Sequence, residues 1–242
     1  MAWRGWYGRF ALLGFSLAIS ACASINNPNS SDSESQALFS PRAIHSTNVA
    51  LFSRWTKVAD RFAAQTPAEM QACTDRSDTN CSGAKWSALI DDLKSRPLTD
   101  RITRVNDYFN EIPYVPAEKN WGDVGYWETP YEFLARGGQC QDYAIAKYFA
   151  LKASGVPESD LRFVVVRDLQ RRLDHAILIV AIEGQDYVLD NLNTTVEPLS
   201  DVRHYRAYYA INNTGWWAYL NPSVQIARTQ IANSSFVQPS AQ

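Results

Sequence analysis

Three residues of this 242-residue chain have side chains that could together perform nucleophilic chemistry. Cys140 follows a pair of glycines where an amphipathic helix is predicted to begin, His175 opens a β-branched run, and Asp190 ends another. A thiol, an imidazole and a carboxylate in this order are the parts of a nucleophile with its base and the group that orients the base. A helix N-terminus favours the thiolate, and a nearby imidazole accepts the thiol proton. The pattern therefore predicts an activated cysteine.

Each of the three residues also has a structural interpretation. A lone cysteine in a helix is commonly a small buried apolar residue, His175 could lie in the core, and Asp190 could belong to a turn. The other two histidines are poorer candidates for the base, because His45 lies near the N-terminal polar segment and His204 lies among charged residues. The combination of all three residue types, in order, favours chemistry.

Helices are predicted before and around the cysteine. Apolar residues recur at helical spacing over 48–65, 84–94 and 100–110. A long aromatic loop over 111–130, a short helix over 131–136 and the cysteine helix over 140–154 come next.

Strands are predicted after the cysteine helix, over 161–166, 175–181, 185–190 and 205–211, with a continuation at Trp216-Trp217. A tight turn at Glu183-Gly184-Gln185 makes the second and third strands an antiparallel hairpin with His175 and Asp190 near its open end. Asp174 would point to the face opposite His175. Helices followed by an antiparallel sheet indicate an α+β domain.

The N-terminus has the features of an exported lipoprotein. Arg4 and Arg9 precede a short apolar run over 10–19, and Ile19-Ser20-Ala21-Cys22 resembles the site at which a bacterial signal is removed and the new N-terminal cysteine is lipidated. We expect a signal peptide over 1–21, lipidation of Cys22 and a flexible tether over 22–45. The alternative is an ordinary secretory signal with Cys22 incidental.

These features predict a periplasmic protein that is lipid-anchored to the outer membrane, with a domain over 46–228 and a polar tail over 229–242. A hydrophobic content of 46% and a charged content of 20% are ordinary for a globular domain. The net charge is -2 and no long basic run occurs, which argues against nucleic acid as a partner.

The remaining cysteines agree with export. Cys73 and Cys81 lie in a polar segment at a spacing that suits a short disulfide loop, and a metal site is the competing interpretation, although no histidine or further cysteine lies nearby. Cys140 is then left unpaired, and an unpaired thiol in an exported protein needs a reason.

At these residues the sequence resembles the bacterial transglutaminase-like cysteine proteinase family, over about residues 50–220. Four ordered motifs carry the resemblance: Trp121 to Leu134, Gly138 to Tyr148, Asp174 to Leu178, and Val188 to Asn191. It implies a papain-like, transglutaminase-like core and a catalytic triad of Cys140, His175 and Asp190. It also implies an acyl-thioester intermediate and a protein substrate, which in adhesin-cleaving members is a large cell-surface adhesin. Acyl transfer to an amine, and a non-enzymatic anchored module, remain alternatives.

The chain departs from the family pattern beside the cysteine. Family members carry acidic residues directly before and after it that help to bind calcium, whereas this chain has Gln139 and Gln141 and keeps only Asp142 as an acid in this run. Because calcium affinity depends on ligand charge, we expect no metal cofactor here. The backbone N–H of Cys140 is one predicted oxyanion donor, and the second could come from the Trp121–Trp127 loop or from Gln139.

Overall fold

The computed structural model describes Phe39, residues 43–72 and residues 81–220. Its helices are α1 (Ser53–Ala72), α2 (Ser82–Lys94), α3 (Leu98–Asn110), α4 (Ala117–Trp121), α5 (Pro130–Arg136) and α6 (Cys140–Ala153). Its strands are β1 (Ala43–Ser46), β2 (Leu161–Asp168), β3 (Leu173–Ile182), β4 (Gln185–Leu189), β5 (Glu197–Pro198), β6 (Tyr205–Ile211) and β7 (Trp216–Tyr219). The predicted α+β class is confirmed.

The strands form one antiparallel sheet in the order β1-β7-β6-β2-β3-β4-β5. The β3–β4 hairpin turns through Glu183 and Gly184, which have φ angles of 51° and 82°, as in the two-residue turns that match strand twist. Leu178 pairs with Leu189 across this hairpin. Asp190 therefore follows β4 at the end of the hairpin where β3 carries His175.

Helix α6 lies at the centre of the domain. It packs on β2 and β3 with one side and against α2, α3 and α5 with others. As a result every residue from Cys140 to Leu151 is buried. The sequence predicted an amphipathic helix here, and that prediction is wrong because α6 has no broad face toward solvent. Polar residues on α6 must consequently find partners inside the protein.

Short elements account for most other differences. Residues 49–51 form a 3-10 turn, so α1 begins at Ser53 rather than at 48. The predicted aromatic loop contains α4. This helix ends at Trp121 and is followed by Gly122 in the left-handed conformation, with φ of 70°. Strands β1 and β5 were not predicted, because four and two residues are too few to show a period.

Several predicted features lie outside the described residues. These are the signal peptide, the lipidation site Cys22, the polar tail and Cys73, so its pairing with Cys81 stays a prediction. The predicted tether overlaps β1 at residues 43–45, and apart from Phe39 the rest of it is also outside. Among the helices that are described, none combines the length and apolar character needed to cross a membrane.

Candidate active site

Cys140 is the first residue of α6, directly after the extended Gln139. The first N–H groups of a helix have no acceptor within the helix, so the amide of Cys140 is oriented to bind an external group. The two preceding glycines permit this entry. A Cβ on Gly137, whose φ is 74°, would lie 2.2 Å from Pro113 O, and one on Gly138 would lie 2.8 Å from Asp142 Oδ2. Larger residues at either position would move the start of α6.

The thiol of Cys140 is free and buried. Its Sγ lies 3.6 Å from Oε1 of Gln141, to which the thiol donates. His175 is buried as well, and both residues have a relative exposure of 0%. Water is therefore largely excluded around both groups, which strengthens the electrostatic interactions between them.

His175 and Asp190 form a buried pair. Nε2 of the imidazole lies 2.7 Å from Oδ1 of Asp190. The other ring nitrogen, Nδ1, is buried and has no close hydrogen-bond partner. Cys140 nevertheless lies near enough to raise the pKa of His175. The structure thus brings Cys140, His175 and Asp190 together, with Nδ1 as the nitrogen left for the thiol.

The two partners shift each other's pKa in opposite directions. Burial on its own would lower the pKa of His175, but the charge and hydrogen bond of Asp190 outweigh it, with a smaller contribution from Cys140, and raise the pKa to about 10. Burial would raise the pKa of Asp190, but the charge of His175 holds that pKa well below its ordinary value. The pair is therefore an imidazolium and a carboxylate near neutral pH.

Asp190 is fixed by two further donors. The backbone N–H of Leu192 donates to Oδ1 at 2.9 Å, and the hydroxyl of Tyr205 donates to Oδ2 at 2.6 Å. Tyr205 was not predicted from the sequence. It stands at the start of β6, which pairs with β2 rather than with the His175–Asp190 hairpin, so no sequence spacing indicates the contact.

Tyr114 was also missed. It forms an isolated parallel bridge with Gly138, and its buried hydroxyl has no hydrogen-bond partner. Burial, and then the charge of Cys140, raise the pKa of Tyr114 to about 12, although the side chain of Gln139 opposes the rise. Because Tyr114 is protonated at neutral pH, its hydroxyl is an unused donor near the thiol.

A second polar cluster surrounds the start of α6. Asp142 accepts the backbone N–H of Glu128 at 2.8 Å on Oδ1, and that of Gln139 at 2.8 Å on Oδ2. The amide nitrogen of Gln141 lies 3.2 Å from both Gln139 Oε1 and Asp142 Oδ2. Burial and the charge of Glu128 raise the pKa of Asp142 well above its ordinary value. Protein N–H groups therefore already bind both oxygens of this carboxylate.

Glu128 and the aromatic loop belong to the same cluster. Oε1 of Glu128 accepts from Trp121 Nε1 at 2.7 Å and from Asn120 at 3.0 Å, whereas its Oε2 is buried without a partner. Burial raises the pKa of Glu128. The indole of Trp121 is thus already engaged. Trp127 packs on Phe163 with ring centroids 5.2 Å apart.

His45 and Asp174 have partners away from Cys140, His175 and Asp190, whereas His204 packs on Tyr205, which binds Asp190. His45 stacks on Trp217 at 4.9 Å, and His204 lies 4.0 Å from the ring of Tyr205. Asp174 Oδ1 accepts from Arg167 at 3.1 Å and from Tyr208 at 2.8 Å. Asp190, and not Asp174, is the carboxylate bonded to His175.

The chain belongs to the bacterial transglutaminase-like cysteine proteinases, whose family model matches residues 61–224. It is a transglutaminase-like cysteine peptidase by that membership, which counts against the non-enzymatic alternative. No curated protein matches the chain significantly.

Solved structures of LapG from Legionella pneumophila are similar to it. One has 29% sequence identity and a TM-score of 0.54, and covers 65% of this chain and 87% of the other. A calcium-bound LapG has 30% identity and a TM-score of 0.54, with coverage of 66% and 86%. An EGTA-treated LapG has 28% identity and a TM-score of 0.55, with coverage of 67% and 88%.

Proposed function

We propose that the chain is a periplasmic cysteine endopeptidase in which Cys140 is the nucleophile, His175 the acid and base, and Asp190 the orienting carboxylate. One observation supports this most. The buried His175–Asp190 pair leaves Nδ1 unpaired, and the free thiol of Cys140 lies near enough to raise the pKa of His175. Asp190 occupies Nε2, so Nδ1 is the nitrogen that shares a proton with Cys140, as thiol and imidazole or as thiolate and imidazolium.

The proposed reaction proceeds through a thioester. The thiolate of Cys140 attacks the substrate carbonyl carbon, and the tetrahedral intermediate collapses with cleavage of the C–N bond. The imidazolium of His175 donates its Nδ1 proton to the departing amine. Water then attacks the thioester while neutral His175 accepts its proton, and this step releases the acid and restores the thiolate.

Two donors are suitable for the oxyanion of the tetrahedral intermediate. The backbone N–H of Cys140 is one, as the sequence predicted, because it lies in the first turn of α6. We assign the second to the hydroxyl of Tyr114, which is buried and unpaired. Trp121 is a poorer candidate since its indole N–H already binds Glu128.

The enzyme should work without calcium. Both oxygens of Asp142 accept backbone N–H groups, and the amide nitrogen of Gln141 lies 3.2 Å from Oδ2. Among the described residues, no group of three histidine, cysteine or acidic side chains is arranged to hold a metal. The residues beside Cys140 therefore lack the ligand charge on which calcium affinity depends.

The natural substrate should be an extended segment of a large surface adhesin, reached by an enzyme that Cys22 anchors to the outer membrane. The N-terminal sequence and the family resemblance support this setting. Labelling with a radioactive fatty acid, in wild type and Cys22→Ser, tests the anchor. An unlabelled wild-type protein would contradict it.

Cleavage of recombinant adhesin fragments tests the reaction. Cys140→Ser should fold with an unchanged melting temperature and lose cleavage, whereas the matched imidazole control His45→Gln, whose ring stacks on Trp217, should keep it. Cleavage by Cys140→Ser at the wild-type rate would refute the proposal. Mass analysis of products formed with added methylamine separates hydrolysis from acyl transfer, since transfer adds the amine to the new carboxyl end.

A further inference from the structure

A buried lysine lies on the same helix as the nucleophile and has no part in the proposed chemistry. Lys147 follows Cys140 by two turns of α6 and is only 1% exposed. Its Nζ donates to the side-chain oxygens of Asn106 at 2.8 Å and Asn110 at 2.7 Å. Both acceptors are neutral amides, one turn apart on α3.

The two asparagines connect this amine to the segment that carries Asp190. The amide nitrogen of Asn110 donates to the backbone oxygen of Asp190 at 2.8 Å and to that of Asn193 at 3.3 Å. The amide nitrogen of Asn106 donates to Thr194 O at 3.1 Å. The side-chain oxygen of each asparagine thus accepts a hydrogen bond from Lys147, and its side-chain nitrogen donates to backbone oxygens of residues 190–194.

Simple packing does not account for this arrangement. Burying an amine carries a large desolvation free energy. An apolar side chain of the same length would fill the space with equal or greater stability of the fold. What an apolar side chain could not do is fix the rotamers of two asparagines. With Lys147 in place, each amide group is held with its nitrogen toward the loop and its oxygen toward α6.

We propose that Lys147 is a positioning residue for Asp190, acting through Asn106 and Asn110 on the backbone of residues 190–194. The inference rests on the proposed function of Asp190 and deepens it. Holding this backbone holds the carboxylate, and the carboxylate holds the ring of His175.

The network is suited to the pH range in which the enzyme must act. Burial lowers the pKa of Lys147 to about 7, although the charges of Asp190 and Asp107 oppose the fall. A neutral amine keeps two N–H donors, so both asparagines stay bonded whether or not the lysine carries a charge.

Alkylation of Cys140 by iodoacetamide at neutral pH tests the inference without a known substrate, since the rate reports on the activated thiol. Lys147→Met should slow alkylation by about tenfold relative to wild type, a loss in the range of couplings between networked residues. Asn110→Ala should slow alkylation by a similar factor, and it provides a second test if Lys147→Met folds poorly. Lys152→Met, on the same helix in a half-buried pair with Glu158, is the matched control and should react like wild type.

A double-mutant cycle separates positioning from general destabilisation. If Lys147 acts through Asp190, Lys147→Met should slow the alkylation of Cys140 by less than about twofold when Asp190→Asn is already present. The inference would be overturned if Lys147→Met slowed alkylation equally with aspartate or asparagine at position 190. It would also be overturned if folded Lys147→Met and Asn110→Ala reacted as fast as wild type. Either result would leave the proposed function standing. Wild-type alkylation no faster than that of glutathione would refute both.

Discussion

The substitution Asp190→Asn isolates the charge on which the site depends, because asparagine keeps the shape of aspartate. In the native site burial would lower the pKa of His175, and the interactions with Asp190 raise it to about 10 instead. Once the charge is removed, burial should dominate. We therefore expect the pKa of His175 in the variant to fall below its ordinary value of about 6.5.

The free energies involved are large. A pKa of about 10, against an ordinary 6.5, corresponds to about 5 kcal/mol favouring the protonated ring. At neutral pH native His175 is almost entirely imidazolium, whereas the variant ring should be mostly neutral and unable to stabilise the thiolate. Alkylation and cleavage at Cys140 should fall by roughly 10²–10⁴-fold, the range of a general acid–base contribution.

Nitrogen-15 NMR titration of the imidazole measures this pKa directly. The chain has three histidines, so a background of His45→Gln and His204→Gln leaves His175 as the single imidazole signal. Asp174→Asn is the matched control, because that carboxylate precedes His175 but binds Arg167 and should leave the pKa unchanged. A pKa near 10 in Asp190→Asn would refute the electrostatic reasoning.

The same pKa values set the pH dependence of stability. The pKa of His175 is raised on folding, so the stability it contributes is complete below about pH 6.5 and is lost as pH rises through about 10. The pKa of Asp190 is lowered, so its contribution is present above about pH 3.9 and is lost as the solution becomes more acidic. Urea denaturation should show an alkaline decline that is smaller in Asp190→Asn, and equal declines would contradict the assignment.

Three further substitutions test the surroundings. Tyr205→Phe removes the hydroxyl that binds Asp190 Oδ2 and should lower the free energy of unfolding by about 2 kcal/mol in urea denaturation, the usual cost of losing a hydrogen bond to a buried charge; an unchanged stability would contradict this. Tyr114→Phe should lower kcat by about tenfold or more with little change in KM, if its hydroxyl binds the oxyanion; a rise in KM alone would count against that role. Gln139→Asp combined with Gln141→Glu should create calcium binding detectable by calorimetry, whereas wild type should show none; micromolar affinity in wild type would disprove the proposed independence from calcium.

The parts of the site that sequence could predict are those joined by short stretches of chain. Paired glycines before Cys140 indicated a helix start, and the turn at Gly184 brought Asp190 to the end of the hairpin near His175. Tyr205 and Tyr114 could not be predicted in the same way. Their positions depend on the strand order of the whole sheet and on an isolated bridge to Gly138, and neither leaves a local pattern.

The polar residues of helix α6 also indicate which other segments of the chain complete the site. Every residue from Cys140 to Leu151 is buried, yet this stretch contains Asp142 and Lys147 as well as the thiol. An ionisable residue in a fully buried helix must be paired within the protein, because desolvation otherwise costs several kcal/mol. The partners come from different segments, with Asp142 bonded to Glu128 and the helix entry, and Lys147 bonded to α3. The charged residues of α6 therefore connect the nucleophile helix to the segments that complete the site.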